Sequence, residues 1–539
     1  DGVHRLSLGV PMAHLSLPEP VLGLPEEEAR ERFALLQRKL VPLWKSISRF
    51  SNDEQTIVVV PSLDVDMELT GSEMQAYEER MLFLLLLLRQ PCARLVYVTS
   101  QAISPVIVDY YLDLMPGVIA SHARRRLFLV APLDASPRPL ALKLLERPRL
   151  IERIRGLILD PDRAHLVPYH TTPRERDLAL HLGIPLYGAD PRFLDYGTKT
   201  GCRRLFREEG VPHATGREGL RNEDDIVRAI AHLRETAPHA QEAMVKLDEG
   251  ISGFGNALVD LRDLCEPGDP EEPAAIGRRL REMRFELPTL TYEKFIGKLA
   301  RGGGVVEERL VGDEFRSPSV QLRVTPLGDV EILSTHDQLL GGPSGQSYVG
   351  CRFPADPAYA VEISRHARKV GERLAREGVL GRFALDFVVA RERGGEWRTY
   401  AIEVNLRKGG TTHPFLTLQF LTDGRYDPGT GVFTAPGGQP KSFVASDKVV
   451  SPLYRAFTPD DLFDIVARHG LHFDQTRQEG VVFHMMGALG ECGRVGLTAV
   501  GNSPAEAGAI QARALEVLEE EAQAAVRPHP VPGPSTIAG

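Results

Sequence analysis

The stretch "YAIEVNLRKGG", Tyr400 to Gly410, opens as an apolar strand and then sets Glu403, Asn405 and Arg407 at alternate positions. Successive side chains of a strand point to opposite faces, so these three share one face. An acid, an amide and a guanidinium stand where a buried strand would otherwise carry Val or Ile. Such a break in the pattern marks a place where chemistry competes with packing.

The neighbouring sequence supplies a partner for that face. "RFALDFVVA" (382–390) and the strand ending at Asn405 are joined through Gly394 and Gly395, which reads as an antiparallel hairpin. Asp386 then lies near Glu403, and with Asn405 the hairpin offers three oxygen ligands. Mg²⁺ is commonly held by one or two carboxylates, with substrate phosphates and water completing its shell. The absence of His and Cys from the set argues against zinc. The competing reading is a salt-bridged hairpin in which Arg407 or Lys408 pairs with Glu403.

Two further stretches carry chemistry. Lys246 ends an apolar strand and is followed by "DEGISGFGN", a glycine-rich turn containing Ser252 and Gly253. Such a turn can lay N–H groups over phosphate oxygens while the lysine supplies charge, although it lacks the ending of a Walker loop. A plain flexible turn is the alternative. "VVEERLVGDEF" (305–315) places Glu307 and Glu314 at either end of an extended connector. Its backbone can read a base edge and the second acid can accept ribose hydroxyls; a solvated strand end is the other reading.

The 539 residues suggest three or four structural units, and a net charge of −9 gives no basic face for nucleic acid. Cys92, Cys202, Cys265, Cys351 and Cys492 show no paired or metal-binding spacing, which fits a reducing, cytoplasmic setting. The longest apolar run, "MLFLLLLL" at 81–88, falls far short of the roughly 20 residues of a membrane span and reads as a buried helix. The first residues show no export-signal pattern. No membrane association is expected.

From 56 to about 190, strand and helix patterns alternate. "TIVVV", "RLVYVTS", "RLFLVAP" and "GLILD" (156–160) read as short strands buried on both faces, and so as a parallel α/β layer. A helix is expected over 199–209, strands over 242–247 and 257–261, and a long Gly/Ser/Tyr-rich loop over 341–354. A small unit with a helix at 458–469 and strands at 480–486 and 494–501 follows.

The order of these pieces resembles the ATP-grasp superfamily, over roughly 195–415. "DYGTKTGCRRLFREEGVP" is similar to its opening helix, "AMVKLDEGISGFGNALVDL" to its second lysine strand and lid loop, "VVEERLVGDEF" to its connector, and "LDFVVA…YAIEVNLR" to its metal hairpin. The resemblance implies ATP and Mg²⁺ as cofactors. Lys199, Lys246, Ser252 and Gly253 would face phosphate, and Glu307 the adenine amino group. The backbone from Glu308 to Leu310 would flank the base and Glu314 the ribose. Asp386, Glu403 and Asn405 would hold the metal, and Arg407, with Arg382 and Lys246, would assist phosphoryl transfer.

The loops "STHDQLLGGPSGQSYVGCRFP" and "NLRKGGTTHPF" look closest to pheganomycin-type peptide ligases. That likeness implies an α/β chain with an N-terminal extension (1–52) and a parallel pre-ATP-grasp domain (53–194). An ATP-grasp fold of two α+β subdomains (195–444, lid about 203–300), a C-terminal α+β unit (445–526) and a disordered tail (527–539) complete it. It implies a carboxylate–amine ligase working through an acyl phosphate, with a modified amino acid or guanidino acid and a peptide amine as partners. A homodimer is compatible with it. His336, Gln338, Thr411, Thr412 and His413 are candidates for the substrate pocket, with a loop-holding role weighing equally. His484 reads as a core histidine. Alternatives are an ATP-grasp phosphotransferase and an ATP-binding regulator without turnover.

Overall fold

The computed structural model describes residues 24–49, 54–64, 69, 71–248, 255–287, 289–341 and 347–527. Its first layer is a parallel sheet of β1 (Gln55–Val60), β2 (Ala93–Val98), β3 (Leu127–Val130) and β4 (Ala164–Pro168), in the order β3-β2-β1-β4. All six residues of β1 are buried, as strands covered by helices on both faces must be. The fourth strand differs from expectation. "GLILD" closes the helix Pro148–Gly156 and the turn after it, and the strand is "AHLVP", eight residues on. The apolar run 82–89 is a tight 3₁₀ helix whose leucines fill the core beneath the sheet.

The second layer is an antiparallel sheet of five strands. β5 (Gly216–Leu220), β6 (Glu242–Leu247), β7 (Asn256–Asp260), β8 (Arg284–Phe285) and β9 (Gly304–Glu308) take the order β5-β9-β6-β7-β8. Helices Glu223–Thr236, Glu272–Arg281 and Tyr292–Gly302 bury Ile226, Ile230, Leu233, Ile276, Leu280 and Phe295 in this sheet's own core.

The third sheet holds nine strands. It begins with β10 (Glu314–Arg316), β11 (Pro318–Val324), β12 (Val330–Gly341), β13 (Ser347–Phe353), β14 (Gly381–Arg391) and β15 (Arg398–Asn405). After the small hairpin β16 (Arg425–Asp427) and β17 (Val432–Thr434) come β18 (Ser442–Val450), β19 (Gly480–His484) and β20 (Arg494–Gly501). The order is β10-β14-β11-β12-β13-β18-β20-β19, with β15 on β14. The strands after 442 thus extend this sheet edge to edge and do not form a sheet of their own. Half of the expected loop 341–354 is β13. Two helices cover the sheet: Pro357–Glu377 against β11 and β12, and Pro504–Ala525 against β18 and β20. No helix among the described residues is long and apolar enough to cross a membrane.

Candidate active site

The hairpin β14–β15 turns at Glu392–Gly395, where Gly394 takes φ +76°, a conformation that side chains with a Cβ rarely adopt. The resulting register sets Asp386 directly opposite Glu403 and Ala384 opposite Asn405. Asn405 Nδ2 donates to Asp386 Oδ2 at 2.9 Å, so the amide orientation is fixed and its carbonyl oxygen turns away from that carboxylate. Ser319, opposite Asp386 on β11, adds a hydroxyl. Burial first, and the Glu403 carboxylate second, push Asp386 up to about 6, against Ser319, Arg407 and Asn405. Two facing acids, one of them desolvated, with an amide beside them are a donor set suited to a hard divalent cation. The residues therefore fit Mg²⁺.

The helix Lys199–Glu208 is seated against this strand. Its N-cap Thr198 accepts from Gly201 N–H, and its Cys202 Sγ accepts from Val404 N–H, between the two β15 ligands. Lys199 stands at the first position of that helix, one turn before Cys202. The thiol is pushed well above its ordinary range by burial and then by Glu403, which leaves it unreactive and structural.

The nucleotide candidates come from the five-stranded sheet. Glu307 on β9 is buried, with Arg203 Nη1 at 2.7 Å and Lys246 Nζ on its other oxygen. Burial alone would raise this carboxylate; Lys246 and Arg203 outweigh it and hold it at about 2. Arg203 was not singled out in the sequence, because nothing local ties position 203 to 307. Glu308 is engaged by its side chain, accepting from Thr215 N–H at 2.9 Å and meeting His239. The N–H groups of Glu308 and Arg309 are bonded to Thr215 and Glu242, and Leu310 follows as the connector leaves the sheet. Glu314 meets Arg391 Nη2 at 2.8 Å, which lowers its carboxyl. Ser252 and Gly253 lie outside the described residues.

Of the five substrate candidates, two require correction. His336 is fully buried among Phe353, Phe415 and Phe443, where desolvation pulls its imidazole down to about 3. It is a core residue. His413 is buried as well, its Nε2 3.1 Å from Asp447, which also holds His484 at 2.9 Å and Arg80 at 3.0 Å. Thr411 and Thr412 fasten the loop after β15: Thr411 accepts from Gln321 Nε2 at 2.5 Å, and Thr412 from Gly409 N–H at 2.9 Å. Gln338 donates its backbone N–H to Ser317.

His413, Asp447 and His484 bring three possible ligand atoms together. Their charge is already balanced, because the Arg80 guanidinium answers the one carboxylate, to which His484 is also hydrogen-bonded. A divalent cation there would sit beside an unneutralised arginine. The cluster is a closed ionic network.

The parallel layer contributes what the sequence did not announce. The segment after β4 brings His170 within reach of the Arg407 charge, and burial followed by Arg407 lowers its imidazole to about 4 while Asp64 opposes. His170 Nδ1 is buried and has no hydrogen-bond partner among the described residues. Arg382, on the Asp386 face of β14, lines a cavity with Lys408.

A family described as IQCH-like, ATP-grasp matches residues 193–268 and 278–428, and one described as PGM1 C-terminal domain matches 461–514. The chain is 34% identical over 451 residues to the L-propargylglycine–L-glutamate ligase of Streptantibioticus cattleyicolor, covering 82% of this chain and 88% of that one. It is 23% identical to the IQ motif-containing protein H of Danio rerio, over 84% of this chain and 47% of that protein. Among solved structures, the biotin carboxylase of Campylobacter jejuni bound to an ATP analogue has a TM-score of 0.51 at 11% identity, covering 88% of this chain and 96% of that one. The chain belongs to the ATP-grasp family of ATP-dependent ligases that form C–N bonds.

Proposed function

We propose that the protein joins a small carboxylic acid to an amino-acid or peptide amine by way of an acyl phosphate. The observation that carries this reading is the facing pair Asp386–Glu403, braced by Asn405 and bordered by Arg407. Similarity to a ligase named for two amino acids supports an amino acid as the acid component, and a guanidino acid is the other candidate. Biosynthesis of a peptide natural product is the setting this implies. A homodimer in the cytoplasm completes the reading, consistent with five cysteines that are all free thiols.

A carboxylate is a poor electrophile and repels a triphosphate, so the site must neutralise charge and align reactants. Lys199, at a helix start, and Lys246, beside the glycine-rich turn, supply positive charge for the phosphates. Glu307, fixed by Arg203 and Lys246, and the connector from Glu308 to Leu310 hold the base, with Glu314 at the ribose. A Mg²⁺ held by Asp386, Glu403 and Asn405 would supply charge neutralisation at the β- and γ-phosphates. Arg407 aligns the acid for attack on the γ-phosphorus, which releases ADP. The amine then attacks the acyl carbon, phosphate departs, and a proton leaves the nitrogen. His170, beside Arg407, borders the acid end of this arrangement.

ADP release from pairs of candidate acids and amines tests the reading, with hydroxylamine as a trap. Ligation gives free phosphate only when both partners are present and an acyl hydroxamate when hydroxylamine replaces the amine. ADP and a stable phosphorylated acid, with no dependence on amine, would overturn it in favour of a phosphotransferase.

A further inference from the structure

A second site lies behind the loop that carries Arg407. A cavity of about 300 Å³ opens between helix Leu40–Arg49, the parallel sheet, β11, β14 and helix Thr412–Thr422. That volume sits at the small end of the range for ligand pockets. Most of the wall is apolar, but Arg382, Arg323, Lys408 and His165 also face it.

The charges in this wall do not balance. Arg323 is paired with Glu331 at 2.9 Å, but no acidic group among the described residues lies within ion-pair distance of Arg382 or Lys408. Arg382 Nη1 is buried and has no hydrogen-bond partner among the described residues. Lys408 is 8% exposed, and its ammonium donates to the Pro168 carbonyl, a neutral acceptor. His165 stands nearby with a bare Nδ1. Burial and then the Arg382 charge draw Lys408 down to about 7, while burial and then Arg323 draw Arg382 down to about 10, with Tyr187 and Glu331 opposing. Two desolvated cations facing one cavity leave their charge to be answered by a ligand.

We propose that this cavity binds a small monocarboxylate with an apolar body, its carboxylate between Arg382 and Lys408 and its body against Leu40, Trp44, Phe83, Leu87, Leu416 and Phe420. The guanidinium fork and the ammonium suit the two oxygens of a carboxylate; the uncharged polar side chains of the wall are Gln55, Gln90, Gln419 and Tyr187, of which Gln55 and Gln90 are bonded to one another. The site is separate from the metal hairpin. Arg382 precedes Asp386 by four residues on one strand, about 13 Å at strand rise. Between them Thr411 sits over Gln321, the residue opposite Ala384. A carboxylate held here is not the one that meets the γ-phosphate. Because Lys408 adjoins Arg407, its occupant also steadies the loop that places that arginine.

The indole of Trp44 lines the cavity, stacked 5.6 Å from Tyr187, and the chain has one other tryptophan, Trp397, against Tyr359. The full chain carrying Trp397→Phe is titrated without nucleotide, using octanoate and octan-1-ol as probes and Trp44 emission as the readout. Saturable octanoate binding is expected, at least about tenfold tighter than octanol, since a buried charge pair is at stake. Lys408→Met is expected to abolish that preference. Equal affinities for acid and alcohol, or no saturable response to octanoate, overturns the proposal, and the comparison of probes stands even where the lysine variant does not fold. The assay contains no ATP, so its outcome is independent of the ligation reading.

Discussion

Two clusters of potential metal ligands sit in the same sheet, and they are built on opposite principles. At one end Asp386 and Glu403 face each other, with Asn405 and Ser319 hydrogen-bonded to Asp386, and burial drives that acid toward neutrality. At the other end Asp447 takes both imidazoles and the Arg80 guanidinium, and together these hold its carboxyl far below the ordinary range despite burial. The first cluster carries excess negative charge and gains from a cation. The second is neutral in sum and loses by admitting one. Proximity of ligand atoms therefore does not make a metal site; the charge that remains after the protein has made its own pairs does.

The comparison breaks first on stability. Asp447→Ala leaves Arg80 buried without a counter-ion and is expected to cost about 3–5 kcal/mol in denaturant unfolding. Glu403→Gln should show the reverse: unfolding unchanged, with ADP formation lowered by about 10²–10³, as for removal of one charge-stabilising group. If Asp447→Ala unfolds like the parent, or Glu403→Gln keeps its turnover, the two clusters have been assigned the wrong roles.

Acid should act on the clusters with opposite sign. Asp386 is raised from 3.8 to about 6, so its contribution to stability is complete below 3.8 and lost as pH rises through 6. His413 is lowered to about 4, by burial before any other cause, so its contribution is complete above 6.5 and lost as pH falls toward 4. Mg²⁺ relieves the first cluster only where Asp386 is ionised. The rise in melting temperature on adding Mg²⁺ is thus expected to be larger at pH 7.5 than at pH 5.5, and a rise independent of pH contradicts the assignment. The smallest effect concerns the nucleotide side. Lys246→Ala leaves Glu307 to Arg203 and should weaken ATP by about tenfold in calorimetry, the loss of one charged contact.

The acid-bearing hairpin is legible because its signals are local. A period-two pattern and a Gly-Gly turn announce the hairpin, while a bulge between Asp386 and Phe387 shifts the register by one residue to bring Asp386 opposite Glu403. The strand "AHLVP" was not, because it carries His165 and Pro168, while "GLILD" has the apolar run that a helix end and a strand share. His336 and His413 read as substrate groups because their surroundings are remote: Phe353, Phe415 and Phe443 for the one, Asp447 and His484 for the other. No window along the chain contains both a histidine and the residues that bury it. The Arg203–Glu307 pair and the cavity wall, which runs from Leu40 to Phe420, stayed hidden for the same reason.

The decisive measurement is the anomalous scattering of Mn²⁺ in crystals grown with a non-hydrolysable ATP analogue. The expected peak lies about 2.0–2.3 Å from oxygens of Asp386, Glu403 and Asn405, beneath the β- and γ-phosphates. Manganese seated between His413, Asp447 and His484, with the acid hairpin bare, would contradict the assignment on which the ligase chemistry stands.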